Sequence, residues 1–397
     1  MAMSAPAAES LVVTGLGVVS AAGLGPDALW SALMEGRSLL RDLQQPWAPA
    51  PHQLGAAVGD LPLVDWVPAR RRRRLNHLSR MALCAARQAL QQAGLEGESS
   101  VGAVLGTGLG ALQQTVDFMG QLIHEGPARA NPAAFPGSVM NVAAAQMSIE
   151  LGLRGYNTTV NHKQVSAELA LMVARDAIRL GRAESLICGG VDELLEAVHH
   201  GHRRLRELAA AAPRPYRLGR DGLALGEGAA VLALERPGRA RSRGARVLAR
   251  VAAVGCAGGT DGSLDGPRAA MLRALDRAGM DPAQVDLIVG CGGGHRLLDR
   301  LEARAIETVF GPEVPLTSPH GALGSWMAAG GLRLVAAVLA LSRGAIFPTL
   351  TAGDLDPDVP SAALVTEPRQ APLRTVLVSG LSTGGTSVAV LLEQGEG

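Results

Sequence analysis

Lysine occurs once in this chain, at Lys163, so almost all of its positive charge is arginine, as a GC-rich coding bias would produce. Acidic and basic residues nearly cancel, leaving a formal net charge of +1. That balance gives no support to a general nucleic-acid-binding role. The four cysteines, Cys84, Cys188, Cys256 and Cys291, form no CxxC pair and have no histidine at zinc spacing. Disulfides and a structural metal are therefore not expected. His199, His200 and His202 sit among leucines and arginines without a ligand pattern, so no metal is expected there either. The opening MAMSAPAAES lacks a basic region followed by an apolar run, which argues against a secretion signal. The longest apolar stretch, Ser325 to Phe347, is interrupted by Arg333, Arg343 and several glycines. It reads as a buried helix and not as a membrane span. A soluble, cytoplasmic protein is expected.

What the chain has in abundance is glycine (50 residues) and alanine, within a 47% hydrophobic composition that suits closely packed α/β architecture. It also repeats itself. MALCAARQALQQAGLEGESS leads into VGAVLGTGLG, and RAAMLRALDRAGMDPAQ leads into VDLIVGCGGG. Each unit is an amphipathic helix ending in Ala-Gly, a short turn, and an apolar strand that stops at glycines. SAELALMVARDAIRLGRAESLICGG and SWMAAGGLRLVAAVLALSRGAIFP form a second pair. LVVTGLGVV, RVLARVAAVG and TVLVSGLS add further strands. Strands alternating with helices predict helix-covered sheets, parallel for the most part. The arginine-, glycine- and proline-rich turn at Pro237 to Arg246 separates the copies. The expected organisation is a flexible segment 1–10, a first half 11–245 and a second half 246–397. A site at their junction would draw on both.

Several segments resemble one family in order along nearly the whole chain. LVVTGLGVVSAAGLGPDALWSALMEGRSLL is similar to the opening of the β-ketoacyl synthases of the thiolase superfamily. NVAAAQMSIELGLRGYNTTV resembles the approach to their nucleophile, and RPYRLGRDGLALGEGAAVLALE their Gly-Glu-Gly turn. LDRLEARAIETVFG and VSGLSTGGTSVAVLL match the remaining landmarks. The resemblance implies a thiolase-like fold of five layers, αβαβα, and an obligate dimer.

Active members carry a cysteine at a helix N-terminus, where the macrodipole favours thiolate, and two histidines. Counting back from Gly189 and Gly190, the cysteine position falls on Gln164, which has no atom able to hold an acyl thioester. Counting from Asp299 and Glu302, the first histidine position falls on Cys291, with His295 four residues on and able to approach through a loop shift. The second histidine position is Ser325, and the preceding lysine position is His320. The family's Phe-Gly-Phe gate reads Leu381, Ser382, Thr383. His162, Lys163, His295, His320 and Thr383 are thus candidate site neighbours, and no member of the catalytic triad is expected to survive.

Glutamine for cysteine resembles the chain-length factors, the non-catalytic halves of type II polyketide ketosynthase heterodimers. The wording NHKQ looks closer to partners of polyene or aryl-polyene pathways. By this resemblance a separate ketosynthase supplies the chemistry, and this chain completes the dimer and shapes the acyl tunnel. The resemblance implies tunnel positions Leu112, Gln113, Val116 and Met119 on one helical face, with Ala134 and Phe135 at the dimer contact. No cofactor is expected beyond the phosphopantetheine arm of an acyl carrier protein. The arginine run Arg70 to Arg74 reads either as a solvated face or as a docking patch for that acidic carrier. Three alternatives stay open: a decarboxylase of the glutamine-bearing ketosynthase type, an acyltransferase using Cys188 or Cys291, and a homodimeric carrier-binding module.

Overall fold

The computed structural model describes residues 11–63, 67–260, 262–360 and 363–395. The expected flexible segment 1–10 lies outside the described residues. Ten principal strands form two leaves. The first leaf contains β1 (Leu11–Ser20), β2 (Gly102–Gly106), β3 (Asn157–Val160), β4 (Ser185–Asp192) and β5 (Gly228–Glu235). The second contains β6 (Ala249–Gly258), β7 (Leu287–Val289), β8 (Leu316–Thr317), β9 (Thr375–Leu381) and β10 (Thr386–Gln394). Their orders are β1-β5-β4-β2-β3 and β6-β10-β9-β7-β8, the same arrangement twice. The leaves join where β1 pairs antiparallel with β6, over Leu11 to Val13 only.

The expectation of a mostly parallel sheet is corrected. Among these ten strands four neighbouring pairs are parallel and five are antiparallel. Helical crossovers account for the parallel pairs. The sequence reading assumed such a crossover after every strand, but β9 returns directly into β10 through a tight turn, where Ser382 and Gly385 close the backbone hydrogen bonds. That turn reappears below as part of the site.

Eight helices complete the layers: α1 (His77–Ala93), α2 (Leu112–Glu125), α3 (Val142–Leu151), α4 (Ser166–Arg179), α5 (Glu196–Arg204), α6 (Asp265–Ala278), α7 (Arg296–Phe310) and α8 (Gly330–Arg343). α1 and α3 cover the outer face of the first leaf, and α6 and α7 that of the second. Between the leaves lie α4 and α8, whose apolar side chains form the central core. The result is αβαβα. The Ala-Gly signatures end helices as read from the sequence: Gly94 after α1 and Gly279 after α6 both adopt left-handed φ and close the last turn. α8 is buried from Gly330 to Leu341, so its apolar run serves a central layer. Among the described residues no helix is long and apolar enough to cross a membrane.

One junction shows how closely the layers approach. A side chain at Gly17 of β1 would place its Cβ 1.8 Å from the Ala85 carbonyl oxygen of α1. Beyond the short pairing with β6, the N–H groups of Leu16 and Val18 donate to the side-chain oxygens of Gln92 and Gln88 of α1, at 2.7 and 2.9 Å. Half-buried Gln88 and exposed Gln92 thereby satisfy backbone donors that a neighbouring strand would otherwise take. Replacing Gln92 by Leu should orphan the Leu16 N–H and cost about 1–3 kcal/mol. Chemical denaturation would show the loss, and an unchanged midpoint would mean that this hydrogen bond contributes nothing.

Candidate functional site

α4 begins in a short turn, Lys163–Val165, whose first residue has a left-handed φ of 49°. Such a conformation is uncommon for a side chain other than glycine and concentrates at functional positions. Ser166 Oγ locks the turn, accepting from the His162 N–H at 2.8 Å and donating to the Lys163 carbonyl at 2.7 Å. The bend delivers Gln164 to the β9–β10 turn. There Gln164 Oε1 accepts from Ser382 Oγ at 3.0 Å and from the Thr383 N–H at 3.4 Å, while its Nε2 donates to Thr383 Oγ1 at 3.4 Å. The amide is anchored at both ends, and Thr383 lies beside it.

β7 delivers the next position. The Cys291 N–H donates to both oxygens of Glu302, at 2.9 and 3.0 Å. Burial, and then the Glu302 carboxylate, push the Cys291 thiol well above its ordinary value. A thiol so placed favours its protonated form, which counts against Cys291 as a replacement nucleophile, although it is half-buried and lines a cavity with Gln164. Cys188 is fully buried in β4, and burial likewise raises its thiol far up.

His320 is more confined still. Its Nδ1 lies 3.0 Å from the Gly324 carbonyl oxygen and its Nε2 lies 2.9 Å from Arg333 Nη1. A carbonyl only accepts and a guanidinium only donates, so the proton is on Nδ1. Burial first, and then the Arg333 charge, lower the His320 pKa to about 3. This imidazole is neutral with both nitrogens engaged, its one proton held by the Gly324 carbonyl. Arg333 in turn pairs with Glu168 of α4. Glycines make room for that carboxylate, since a Cβ at Gly330 or Gly380 would fall 2.0 or 2.6 Å from its oxygens. Ser325 is held by backbone bonds to Ala224 and Gly226, with its hydroxyl against Gly293.

Two small cavities remain, of about 40 and 50 Å³, and Gln164, His202, Leu223, Ser325 and Trp326 line both. The inner one reaches Asp192, whose carboxylate takes the N–H groups of Gly108 and Ala328 and so ties the starts of α2 and α8 together. The outer one reaches Cys291, His295, His320 and Arg333. Volumes of this size hold a few waters and no extended acyl chain. His295 lines the same cavity as Gln164. His162 and Lys163 line neither cavity: His162 Nε2 lies 2.8 Å from Thr386 Oγ1, and both residues are exposed.

The residues read as a tunnel occupy a different place. Leu112, Gln113, Val116 and Met119 lie along α2, and Val116 and Met119 are exposed. Ala134 is half-buried, and Phe135 is exposed with its ring edge-on to Phe118 at 5.8 Å. Met140 and Ile149 are also exposed, and β3 is an edge strand of the sheet. Ordinary core packing is thereby excluded for Val116, Met119 and Phe135 within this chain. In the arginine run, Arg70, Arg73 and Arg74 are exposed, while Arg71 approaches Glu150 at 3.4 Å. His199 Nε2 lies 2.8 Å from the His52 carbonyl oxygen, and its ring packs against Trp47. Among the described residues no cluster of three or more histidine, cysteine or carboxylate side chains is arranged for a metal.

The sequence reading missed Glu168, His202, Glu207, Trp326 and the role of Arg333. Signals for two of these existed: an acidic residue inside the apolar run SAELALMVA and an arginine inside the most apolar helix. Each buried charge demands a counter-charge.

Comparison with known proteins bears on the same residues. The family model described as Beta-ketoacyl synthase, N-terminal domain, matches residues 8–240, and its C-terminal counterpart matches residues 249–352. Nodulation protein E of Rhizobium meliloti (strain 1021) is 32% identical over 401 residues, spanning 97% of this chain and 99% of that protein. The 3-oxoacyl-(acyl-carrier-protein) synthase 2 of the same strain is 29% identical over 415 residues, spanning 97% of this chain and 98% of that one. Among solved structures, the ishigamide ketosynthase/chain length factor superposes with a TM-score of 0.89 at 26% identity, covering 98% of this chain and all of that one.

The buried ion pair makes its own prediction. Arg333→Met alone strands the Glu168 carboxylate and should destabilise the fold by about 3–5 kcal/mol. Adding Glu168→Leu should restore most of that loss. A double-mutant cycle in denaturant with no such recovery would contradict the pairing.

Proposed function

The chain belongs to the beta-ketoacyl synthase family, and on that footing we propose that it is the non-condensing partner of an active ketosynthase, a chain-length factor in fatty-acid- or polyketide-type synthesis. The observation that carries this reading is the state of the three catalytic positions. Gln164 is bonded through its amide to the β9–β10 turn, Cys291 is a protonated thiol against Glu302, and Ser325 has no titratable nitrogen. Gln164 and Ser325 have no thiol to hold an acyl thioester, Cys291 is held as the unreactive thiol form, and none of the three can donate a proton from imidazole. Decarboxylation of malonyl groups by a glutamine-bearing site has the same need for histidine, and His320 is neutral with both nitrogens occupied.

In the proposed complex, a homologous ketosynthase supplies the cysteine and both histidines. The exposed apolar surface of α2 and its neighbours, beside the unpaired edge of β3, is where that homologue would dock. An edge strand and exposed apolar side chains such as Val116, Met119, Phe135 and Ile149 are a liability in a monomer and an asset at an obligate interface. Two similar folds meeting edge to edge produce pseudo-twofold symmetry. The growing chain would then run along α2, and the bulk of Val116 and Met119 would set its length. The acyl group arrives on the phosphopantetheine arm of an acidic carrier protein, steered by the exposed arginines between Arg70 and Arg74.

Val116→Trp should shorten the products while the complex still co-purifies. Products of unchanged length from an intact complex would overturn the tunnel assignment. Charge reversal of Arg72 and Arg73 to Glu should raise the carrier concentration needed for half-maximal turnover. An unchanged carrier dependence would place docking elsewhere.

A further inference from the structure

Two histidines from separate elements converge on one carboxylate at the outer cavity. Glu207 Oε2 lies 2.8 Å from His202 Nδ1, just past α5, and its Oε1 lies 3.6 Å from His295 Nε2 at the start of α7. His295 caps that helix. Its Nδ1 accepts the N–H groups of Leu297 and Leu298, both at 3.2 Å. A ring nitrogen that accepts amide hydrogens carries none of its own, so the His295 proton is on Nε2, facing Glu207. The chain is bent to bring the carboxylate back. Arg206 has a left-handed φ of 59°, and the Glu207 N–H donates to the His202 carbonyl at 3.0 Å. The His202 hydrogen bond, and then the His295 contact, hold the Glu207 carboxyl down at about 2, so it is ionised throughout the working range.

The three side chains are partly exposed, at 12%, 23% and 15% for His202, Glu207 and His295, whereas His320 and Arg333 are buried. All five line the same space as Gln164. Nothing in the chemistry assigned to the family's catalytic positions uses this cluster. One charged group joins the end of α5 to the beginning of α7 beside that space.

We propose that the His202–Glu207–His295 bridge is a specificity device that closes this subunit's own pocket to carrier-borne acyl groups. A pantetheine arm would have to part the bridge to reach Gln164. An incoming thioester is thereby left with the partner's nucleophile as its one destination. This consequence rests on the reading of the chain as a non-condensing partner, whereas the closure itself is a property of this chain.

The test introduces a reporter thiol at the vacated position, Gln164→Cys, in the full chain as purified, with peptide mass mapping to separate it from Cys291. It is treated with iodoacetamide and, separately, with a maleimide carried on pantetheine. The same measurements are made with Glu207→Ala added, and with Glu207→Gln, which keeps the side-chain shape without its charge and guards against misfolding. Iodoacetamide should label the reporter at equal rates in all three. The pantetheine reagent should label it about tenfold faster once Glu207 is replaced, equivalent to about 1.4 kcal/mol of closure. Labelling needs no ketosynthase, so it can fail while the chain still supports extension in a complex, and the two readings are separable. Equal pantetheine labelling in all three backgrounds, whether fast or absent, would overturn the bridge as the closing element.

Discussion

The pairing of Glu168 with Arg333 is the constraint on which the site depends. α4 and α8 are the two helices of the central layer, and each carries one charge into it. A buried charge without a partner is strongly unfavourable, so the two helices must meet at this point. Once they do, Arg333 has a donor left over, and it faces His320 Nε2. The imidazole must then accept there, which leaves its single proton on Nδ1 for the Gly324 carbonyl. Burial, and then the Arg333 charge that the pair holds in place, keep His320 neutral. The same pair explains why Gly330 and Gly380 stand where they do, since the carboxylate fills the volume a side chain would need.

The duplicated leaves give this arrangement its place. In each leaf the same strand order recurs, so equivalent helices enter the central layer from opposite sides. The β9–β10 turn of the second leaf then lies over the start of α4, which follows the first leaf's β3. Gln164 connects the two by hydrogen bonds that span more than half the chain's length. A glutamine suits this position because it offers both a donor and an acceptor to a turn built from hydroxyls and a backbone N–H. The polar site is satisfied without any group that reacts. The apolar surface of α2, by contrast, is left unsatisfied in the isolated chain.

Much of the fold was legible because its signals are local. Helices closed by Gly94 and Gly279, and strands stopped by glycines, announce themselves within twenty residues. The replaced positions were legible by counting from Gly189, Gly190, Asp299 and Glu302. What escaped was long-range. The mixed sheet depends on which strands return by turns, and the period of an apolar strand does not encode its direction. Arg333 was noticed as an interruption that argues against a membrane span, but its partner is 165 residues away. Glu207 was invisible for a similar reason: its second histidine, His295, belongs to the other half of the chain. In the sequence His202 is only one of a histidine tract at which no metal is expected; in the structure His199 and His202 have different partners, the His52 carbonyl and Glu207.

The central claim is that this chain has no acyl chemistry of its own and acts through a ketosynthase. The most direct measurement is turnover of malonyl carrier protein by the purified chain, alone and together with a cysteine-bearing ketosynthase co-expressed with it. The account predicts neither decarboxylation nor condensation by the chain alone, and chain extension by a co-purifying complex. Decarboxylation or condensation by the isolated chain would contradict it, and would turn attention to Cys291, His295 and His320, which line one cavity with Gln164.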